Sequence, residues 1–260
     1  MKRFILLLGV LLFQSAAFAQ QTAQPIQRDP QAAAVLSQMA AATRWSSLAI
    51  PADAVATGTL TPYRGETQET ASVVIKAKGS RQYRTEVLDA TGYRTTILNG
   101  DTAAVLASDG TRFIPRHSAI SMLPAAFPFL YVSIAVADGS ASLRYLGTES
   151  LGSELTHRIE VVRESTPQQR AIRLVVWVSS ATLLPVQIET TRVAVENPTV
   201  TRATARVLSD YRVVNGLAVP FRQEEYANGQ RLYTLQLTSV RFNVGLSDIE
   251  FALPVAQGQE

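Results

Sequence analysis

The chain has 260 residues, of which 47% are hydrophobic, with no cysteine, two histidines and a formal net charge of +3. The lack of cysteine excludes disulfides and lipidation at a cysteine, and two histidines leave little material for a metal or catalytic centre. Lys76 and Lys78 are the only lysines beyond the N-terminal segment, and the arginines are scattered singly. Nucleic-acid-binding proteins cluster their basic residues on one face, so the composition argues against that class of partner.

The first 19 residues have the pattern of a signal peptide. Lys2-Arg3 supply the positive region, Phe4–Phe13 the apolar core, and Ala17-Phe18-Ala19 a small-x-small cleavage site. The alternative is a membrane anchor, but the apolar run is shorter than the roughly 20 residues that span a bilayer. We therefore expect export, with cleavage after Ala19. The expected mature chain has a flexible leader (20–28), a single domain (29–255) and a short tail (256–260).

A helix is predicted to open the domain. Asp29 is a favourable N-cap residue because its side chain accepts hydrogen bonds from free backbone N–H groups, and Pro30 suits the first helical position. Val35, Leu36 and Met39 then place an apolar stripe on one face. This pattern predicts a helix that packs on a sheet.

From Ala54 onward the pattern predicts about a dozen strands with short turns and no βαβ rhythm, and therefore a large curled antiparallel sheet. Asn215-Gly216 and Asn228-Gly229 are the strongest signals, because Asn-Gly tolerates positive φ at both centres of a tight hairpin turn. The predicted strands are Val55–Pro62, Ala71–Lys78, Gln82–Asp89, Tyr93–Leu98, Thr102–Ala107, Thr111–Ile114, Leu143–Gly147, Leu155–Glu164, Ala171–Ser179, Leu184–Val193, Ala205–Val214, Leu217–Tyr226 and Arg231–Phe242.

The strand Ala171–Ser179 is apolar in both phases, with Val176 and Val178 alternating with Val175 and Trp177. A strand that is apolar on both sides is covered on both sides. One cover is expected to be the helix, and the other a cavity roofed by another part of the chain.

The most apolar stretch of the predicted mature chain is Leu123–Val136, here called the apolar segment. Pro124 and Pro128 prevent one long helix, and the run is too short and broken to span a membrane. Two interpretations remain open: a lid over an apolar cavity, and a fixed plug of the core.

Catalytic signals are sparse. His117 and His157 have no partner at metal-ligand spacing, and no Gly-x-Ser-x-Gly motif occurs. Glu224 and Glu225 alternate along a strand and so point to opposite faces, which argues against a local carboxylate pair. We therefore expect a non-enzymatic protein without metal or cofactor, and a hydrolase is the weakest alternative.

A set of short motifs is distributed along the chain, most of them near its C-terminal end. The C-terminal motifs are Asp210-Tyr211-Arg212, Asn215–Phe221, Tyr226–Gly229, Asn243, Asp248 and Phe251–Pro254, and the upstream ones are Val175–Val178 with Leu184–Val186 and Gln82–Glu86 with Ile97–Asp101. The C-terminal motifs resemble the C-terminal half of the LolA/LolB-like superfamily of periplasmic lipoprotein-sorting proteins, and the upstream ones are similar to its central hairpin and its early strands. The resemblance implies a mainly β, half-open barrel with an N-terminal helix and short lid helices.

The resemblance implies a monomeric periplasmic carrier that shelters the acyl chains of lipoproteins or other lipids, with partner proteins in the inner or outer membrane. Arg84 corresponds to a strand arginine that holds the lid backbone in those carriers, and its alternative is a solvent-facing arginine paired with Glu86. The main alternative function is a sensor or scaffold of the same fold that binds a protein partner, for which an exposed sheet edge would serve. The candidate ligand-binding residues are Arg84, Leu123, Phe127, Phe129, Tyr131, Val175, Trp177 and Leu235.

Overall fold

The computed structural model describes residues 26–45, 50–63, 69–79, 81–90, 92–100, 102–115, 139, 141–163, 172–193 and 201–254. These residues form one α-helix, thirteen strands and a 3₁₀ helix. Within them, no helix has the length and apolarity needed to cross a membrane. The elements are α1 (Pro30–Thr43), β1 (Asp53–Pro62), β2 (Ala71–Lys78), β3 (Gln82–Asp89), β4 (Gly92–Asn99), β5 (Thr102–Ala107), β6 (Gly110–Pro115), β7 (Ala141–Leu151), β8 (Glu154–Arg163), β9 (Ile172–Ser179), β10 (Pro185–Val193), β11 (Thr201–Val214), β12 (Leu217–Ala227), β13 (Gln230–Phe242) and the 3₁₀ helix Asp248–Phe251.

All thirteen strands belong to one antiparallel sheet. Its order is β6-β5-β4-β3-β2-β1-β13-β12-β11-β10-β9-β8-β7. Consecutive strands pair with each other except β6 and β7, and β1 pairs with β13 at the centre. In that central pair Ala54 lies opposite Phe242 and Leu60 opposite Leu235. Strands β6 and β7 are the two edges of an unclosed sheet. The prediction of a mainly β, large curled antiparallel sheet is confirmed.

Helix α1 begins where the sequence predicts. The Asp29 side chain accepts hydrogen bonds from the backbone N–H groups of Gln31 at 2.8 Å and Ala32 at 3.3 Å, and Pro30 occupies the first turn. The apolar stripe is buried as expected and includes Val35. The helix ends at Arg44, whose φ of 58° is the left-handed conformation common at helix C-termini.

The two Asn-Gly turns have the backbone conformation that the sequence predicts. Asn215 and Gly216 have φ values of 48° and 83°, and Asn228 and Gly229 have values of 50° and 76°. Positive φ at both central residues is the condition for the tight turn that matches strand twist. These turns therefore fix the β11–β12 and β12–β13 hairpins.

The sheet has two faces that differ in what covers them. The face that packs against α1, here called the helix face, includes Val176, Ile188 and Leu208. The cross-strand pairs show that Leu235 and Leu60 lie on the same face. The C-terminal tail crosses the opposite face, here called the tail face, which is the side of Lys76, Lys78 and Arg84. Because side chains alternate along a strand, each residue can be assigned to one face by its pairing.

The tail is fastened to the tail face by polar contacts and one buried ring. Lys76 Nζ lies 2.7 Å from Glu250 Oε2, and Lys78 Nζ lies 2.6 Å from Asp248 Oδ1. The side chain of Asn99 donates to the carbonyl of Phe251 at 3.2 Å. The ring of Phe251 is fully buried, whereas these ion pairs are partly exposed. Exposed pairs contribute little, so the ring provides most of the anchoring energy.

A buried carboxylate holds the start of the tail. Asp53, at the first position of β1, accepts hydrogen bonds from the backbone N–H groups of Val244 at 2.6 Å and of Gly245 and Leu246 at 2.9 Å. Three charge-assisted bonds to one carboxylate are a strong local restraint. They fix the direction in which the chain leaves β13.

The buried ring generates a stability prediction. We expect Phe251→Ala to lower the free energy of unfolding by about 3–5 kcal/mol, because it removes a large buried side chain and leaves a cavity. Ile249→Ala is the matched control, since Ile249 lies in the same 3₁₀ helix with 77% of its surface exposed. Urea denaturation of the two variants measures the difference. Equal effects at both positions would show that the tail does not anchor through Phe251.

Candidate functional site

The helix face carries two large clusters of buried apolar side chains. One cluster unites Trp45 with residues of β1, β2, β3, β12 and β13, and the other unites α1 with residues of β7 to β11. Within the described residues, α1 is the one helix on this face, and it packs mainly against β7, β8 and β12. Val73 and Ile75 of β2 are nevertheless buried. The apolar surface therefore extends well beyond the strands that α1 contacts.

Trp45 closes the cluster at the centre of the sheet. Its indole Nε1 donates to the carbonyl of Ala218 at 2.9 Å, and its ring meets Phe242 edge to face with 5.6 Å between centroids. The side chain is fully buried. Our sequence analysis did not identify this residue, because it follows the helix outside any strand period.

One polar cluster interrupts the apolar helix face, and our sequence analysis missed it. Arg206 Nε donates to Glu225 Oε2 at 2.6 Å, and Arg206 Nη2 donates to the Tyr233 hydroxyl at 3.2 Å. Both charged side chains are largely buried, with exposures of 17% for Arg206 and 10% for Glu225. The period-two pattern of β11, which puts Arg206 on the face of Leu208, was the available signal.

Burial and mutual contact set the protonation of this cluster. Burial raises the pKa of the Tyr233 phenol to about 12, so the hydroxyl keeps its proton at neutral pH. Burial alone would lower the pKa of the Arg206 guanidinium, but the interactions with Tyr233 and Glu225 outweigh it, and the pKa is raised. The arginine is therefore charged throughout the physiological range.

The residues predicted to bind a ligand do not all lie on one face. Leu235 is fully buried on the helix face. Val175 and Trp177 alternate with Val176 and so lie on the tail face, on the other side of the sheet. The remaining apolar candidates, Leu123, Phe127, Phe129 and Tyr131, lie outside the described residues, as does the whole apolar segment. A ligand-binding role for these residues stays a prediction.

Trp177 is covered by polar side chains of neighbouring strands. The guanidinium of Arg158 lies 4.6 Å from its ring centroid, and its indole Nε1 donates to Glu189 Oε1 at 2.8 Å. Strand β9 is buried on both faces as expected, with α1 on the side of Val176. On the other side the described residues place these polar side chains over Trp177, where the sequence analysis expected a roofed cavity. Glu189 also lines a groove of about 470 Å³ on β10–β12, which Tyr226 borders.

Arg84 lies on the tail face with 27% of its side chain exposed. Its Nε donates to Glu86 Oε1 at 2.5 Å, and its Nη1 donates to the backbone carbonyl of Glu250 at 3.2 Å. The contact with Glu86 is the one expected of a strand arginine paired on its own face. The backbone carbonyl that it also binds belongs to the 3₁₀ helix of the C-terminal tail.

His157 forms a hydrogen bond with a neighbouring strand. Its Nδ1 lies 2.8 Å from the Tyr145 hydroxyl, and the side chain is half-buried. His117 lies outside the described residues. Glu224 and Glu225 point to opposite faces as predicted, since Glu224 contacts Arg222 while Glu225 contacts Arg206. Among the residues described, no group of three or more His, Cys, Asp or Glu side chains could hold a metal ion.

Comparisons by sequence and by structure give different results. No protein-family model matches the chain, and no curated protein matches it. Solved structures do match. A DUF1329 family protein from Desulfovibrio piger superposes with a TM-score of 0.59 at 14% identity, over 87% of this chain and 98% of that one.

Two further structures carry names that match the resemblance in the sequence. A protein described as an outer membrane lipoprotein-sorting domain, from Vibrio parahaemolyticus, has a TM-score of 0.56 at 11% identity over 85% of this chain and 96% of its own. A LolA superfamily protein from Nitrosomonas europaea has a TM-score of 0.56 at 12% identity over 84% and 97%. At these identities the likeness is one of fold, and the chain has a LolA-like fold.

Proposed function

We propose that this protein is an exported, non-enzymatic carrier or binding protein for the acyl chains of lipids or lipoproteins, with the helix face as its binding surface. The main observation behind the proposal is that buried apolar side chains line the helix face across more strands than α1 contacts. Each methylene removed from water contributes about 0.8 kcal/mol. An acyl chain that crosses an aqueous compartment therefore needs such a surface.

Chain connectivity supports a role for the apolar segment as the second cover. The residues between Pro115 and Ala141 connect β6 to β7, which are the two edges of the sheet. Because the strands alternate in direction, Pro115 and Ala141 also lie at opposite ends of the strands. The connection therefore joins the two edges of the sheet and its two ends. We infer that Leu123–Val136 covers the part of the helix face that α1 leaves.

The similar fold of the lipoprotein-sorting domain from Vibrio parahaemolyticus supports the proposal. The alternative, a scaffold that binds a partner through a sheet edge, has less support. The backbone of Gln27 and Asp29 already hydrogen-bonds to Leu143 of edge strand β7. That edge is therefore partly occupied within the chain itself.

The first prediction from this proposal tests the binding surface. We expect Phe129→Asp to weaken binding of a fluorescent fatty acid steeply, because a charge placed against an acyl chain costs several kcal/mol of desolvation. Phe113→Asp is the matched control, since Phe113 lies on edge strand β6 with 45% of its surface exposed. Fluorescence titration measures affinity, and circular dichroism reports the fold.

Hydrogen exchange separates a lid from a plug. For a lid, amides of the apolar segment should exchange fast in the free protein and slowly with ligand. Protection without ligand, together with unfolding of the Phe129→Asp variant, would identify a core plug and favour the scaffold alternative. Native mass spectrometry of protein purified from the periplasm, followed by lipid extraction, would identify a bound lipid.

The second prediction concerns the absence of catalysis. We expect His157→Ala to leave lipid binding unchanged and to lower the free energy of unfolding by about 1–3 kcal/mol, through loss of the bond to Tyr145. Tyr145→Phe removes the same bond from the other side and should act similarly. His117→Ala should likewise leave function intact. A folded His157→Ala protein that has lost function while Tyr145→Phe keeps it would contradict the non-enzymatic interpretation.

A further inference from the structure

The polar cluster on the helix face lies between its two apolar clusters. Arg206 pairs across the sheet with Ile188 on one side and with Glu225 on the other, and Glu225 pairs with Tyr233. Ile188 belongs to the cluster under α1, and the Tyr233 ring packs against the central cluster. A ligand that lies along the helix face across β10 to β13 would therefore pass this cluster.

The cluster has hydrogen-bond donors that the described residues leave unused. Arg206 uses Nε for Glu225 and Nη2 for Tyr233, while Nη1 bonds to no described residue. Tyr233 accepts from Nη2, and its own hydroxyl hydrogen has no acceptor in the described part of the chain. The Arg206 side chain retains 17% exposure, so it is not completely enclosed. The cluster thus offers two donors that no described residue uses, and they belong to residues that contact each other within an apolar surface.

The charge of the cluster determines which acceptor suits it. Glu225 balances the charge of Arg206, and Tyr233 is neutral because burial raises its pKa to about 12. The cluster therefore has no net charge, although it still offers hydrogen-bond donors to a ligand. An anionic head would meet the Glu225 carboxylate at short range, whereas a neutral carbonyl would accept both hydrogen bonds.

A role in recognition also accounts for the cost of the ion pair. Removing two charges from water costs several kcal/mol per ion, and apolar residues of similar volume often stabilise such a site equally well. The pair is thus weak evidence for a contribution to stability. An unused donor on an apolar binding surface is, in contrast, what orientation of a ligand requires.

We propose that Arg206 and Tyr233, held by Glu225, bind the ester or amide carbonyl of an acyl lipid whose hydrocarbon chain lies on the helix face. This inference rests on the carrier function proposed above and adds the chemistry that fixes the position of the chain. It predicts that the protein distinguishes an acyl ester from an alkyl ether of the same length.

The test uses displacement of the fluorescent hydrophobic probe N-phenylnaphthylamine, which has no carbonyl group. Monopalmitoylglycerol and hexadecylglycerol compete with it, and they differ in the presence of the ester carbonyl. We expect the wild-type protein to bind the ester about tenfold more tightly, which is the size expected of one hydrogen bond to a charged donor. Arg206→Met combined with Glu225→Leu should abolish this preference while the protein still binds the probe.

A neighbouring ion pair supplies the matched control. Arg222 and Glu224 lie on β12 on the tail face, with Nη2 and Oε1 2.5 Å apart. Arg222→Met combined with Glu224→Leu should keep the tenfold preference. If the Arg206/Glu225 double variant fails to fold, Tyr233→Phe carries the test, since it removes one donor and keeps the ion pair. It should reduce the preference severalfold.

The outcomes separate this inference from the carrier function. Wild-type protein that binds the probe and both lipids without an ester preference would overturn the carbonyl site and leave the carrier function standing. A full preference retained in a folded double variant, or in Tyr233→Phe, would overturn it as well. Failure of the probe and of both lipids to bind would overturn the carrier function and the carbonyl site together.

Discussion

One face of the thirteen-stranded sheet is apolar and has to be shielded from water, and one short helix is too small to shield all of it. Most other features of the molecule follow from this constraint. Helix α1 and Trp45 take one part of the face. The tail face needs no such cover over β8 to β10, because charged side chains such as Arg158 and Glu189 lie over Trp177. The asymmetry between the two faces is what makes the helix face the candidate binding surface.

Polar groups on the two faces accordingly serve different purposes. On the tail face, Lys76 and Lys78 form partly exposed pairs with the C-terminal tail, which salt and water screen. On the helix face, Arg206 and Glu225 form a largely buried pair whose desolvation has to be compensated locally. The Tyr233 hydroxyl supplies part of that compensation by accepting a hydrogen bond from Arg206 Nη2.

The architecture was predictable because it depends on local rules. The Asp29 cap, the Asn215-Gly216 turn and alternation along each strand all act over a few residues, and the structure bears them out. Placement of the site residues depends on pairing between distant strands. Leu235 and Trp177 are both apolar residues of predicted strands, yet the strand register puts them on opposite faces of the sheet. The hydrogen bond from Arg84 to the backbone of Glu250 could not be predicted from local sequence either, because the two residues are 166 positions apart.

The central pairing of β1 with β13 has a consequence for the order of events during synthesis. Ala54 pairs with Phe242, and Asp53 accepts a hydrogen bond from the backbone N–H of Val244 just beyond β13. These contacts join parts of the chain that leave the ribosome far apart in time, and pairings between distant strands form slowly. The two halves of the sheet therefore remain unjoined until nearly the whole chain has been made. Until β13 is made, β1 therefore exposes an unpaired strand edge that could pair with another chain.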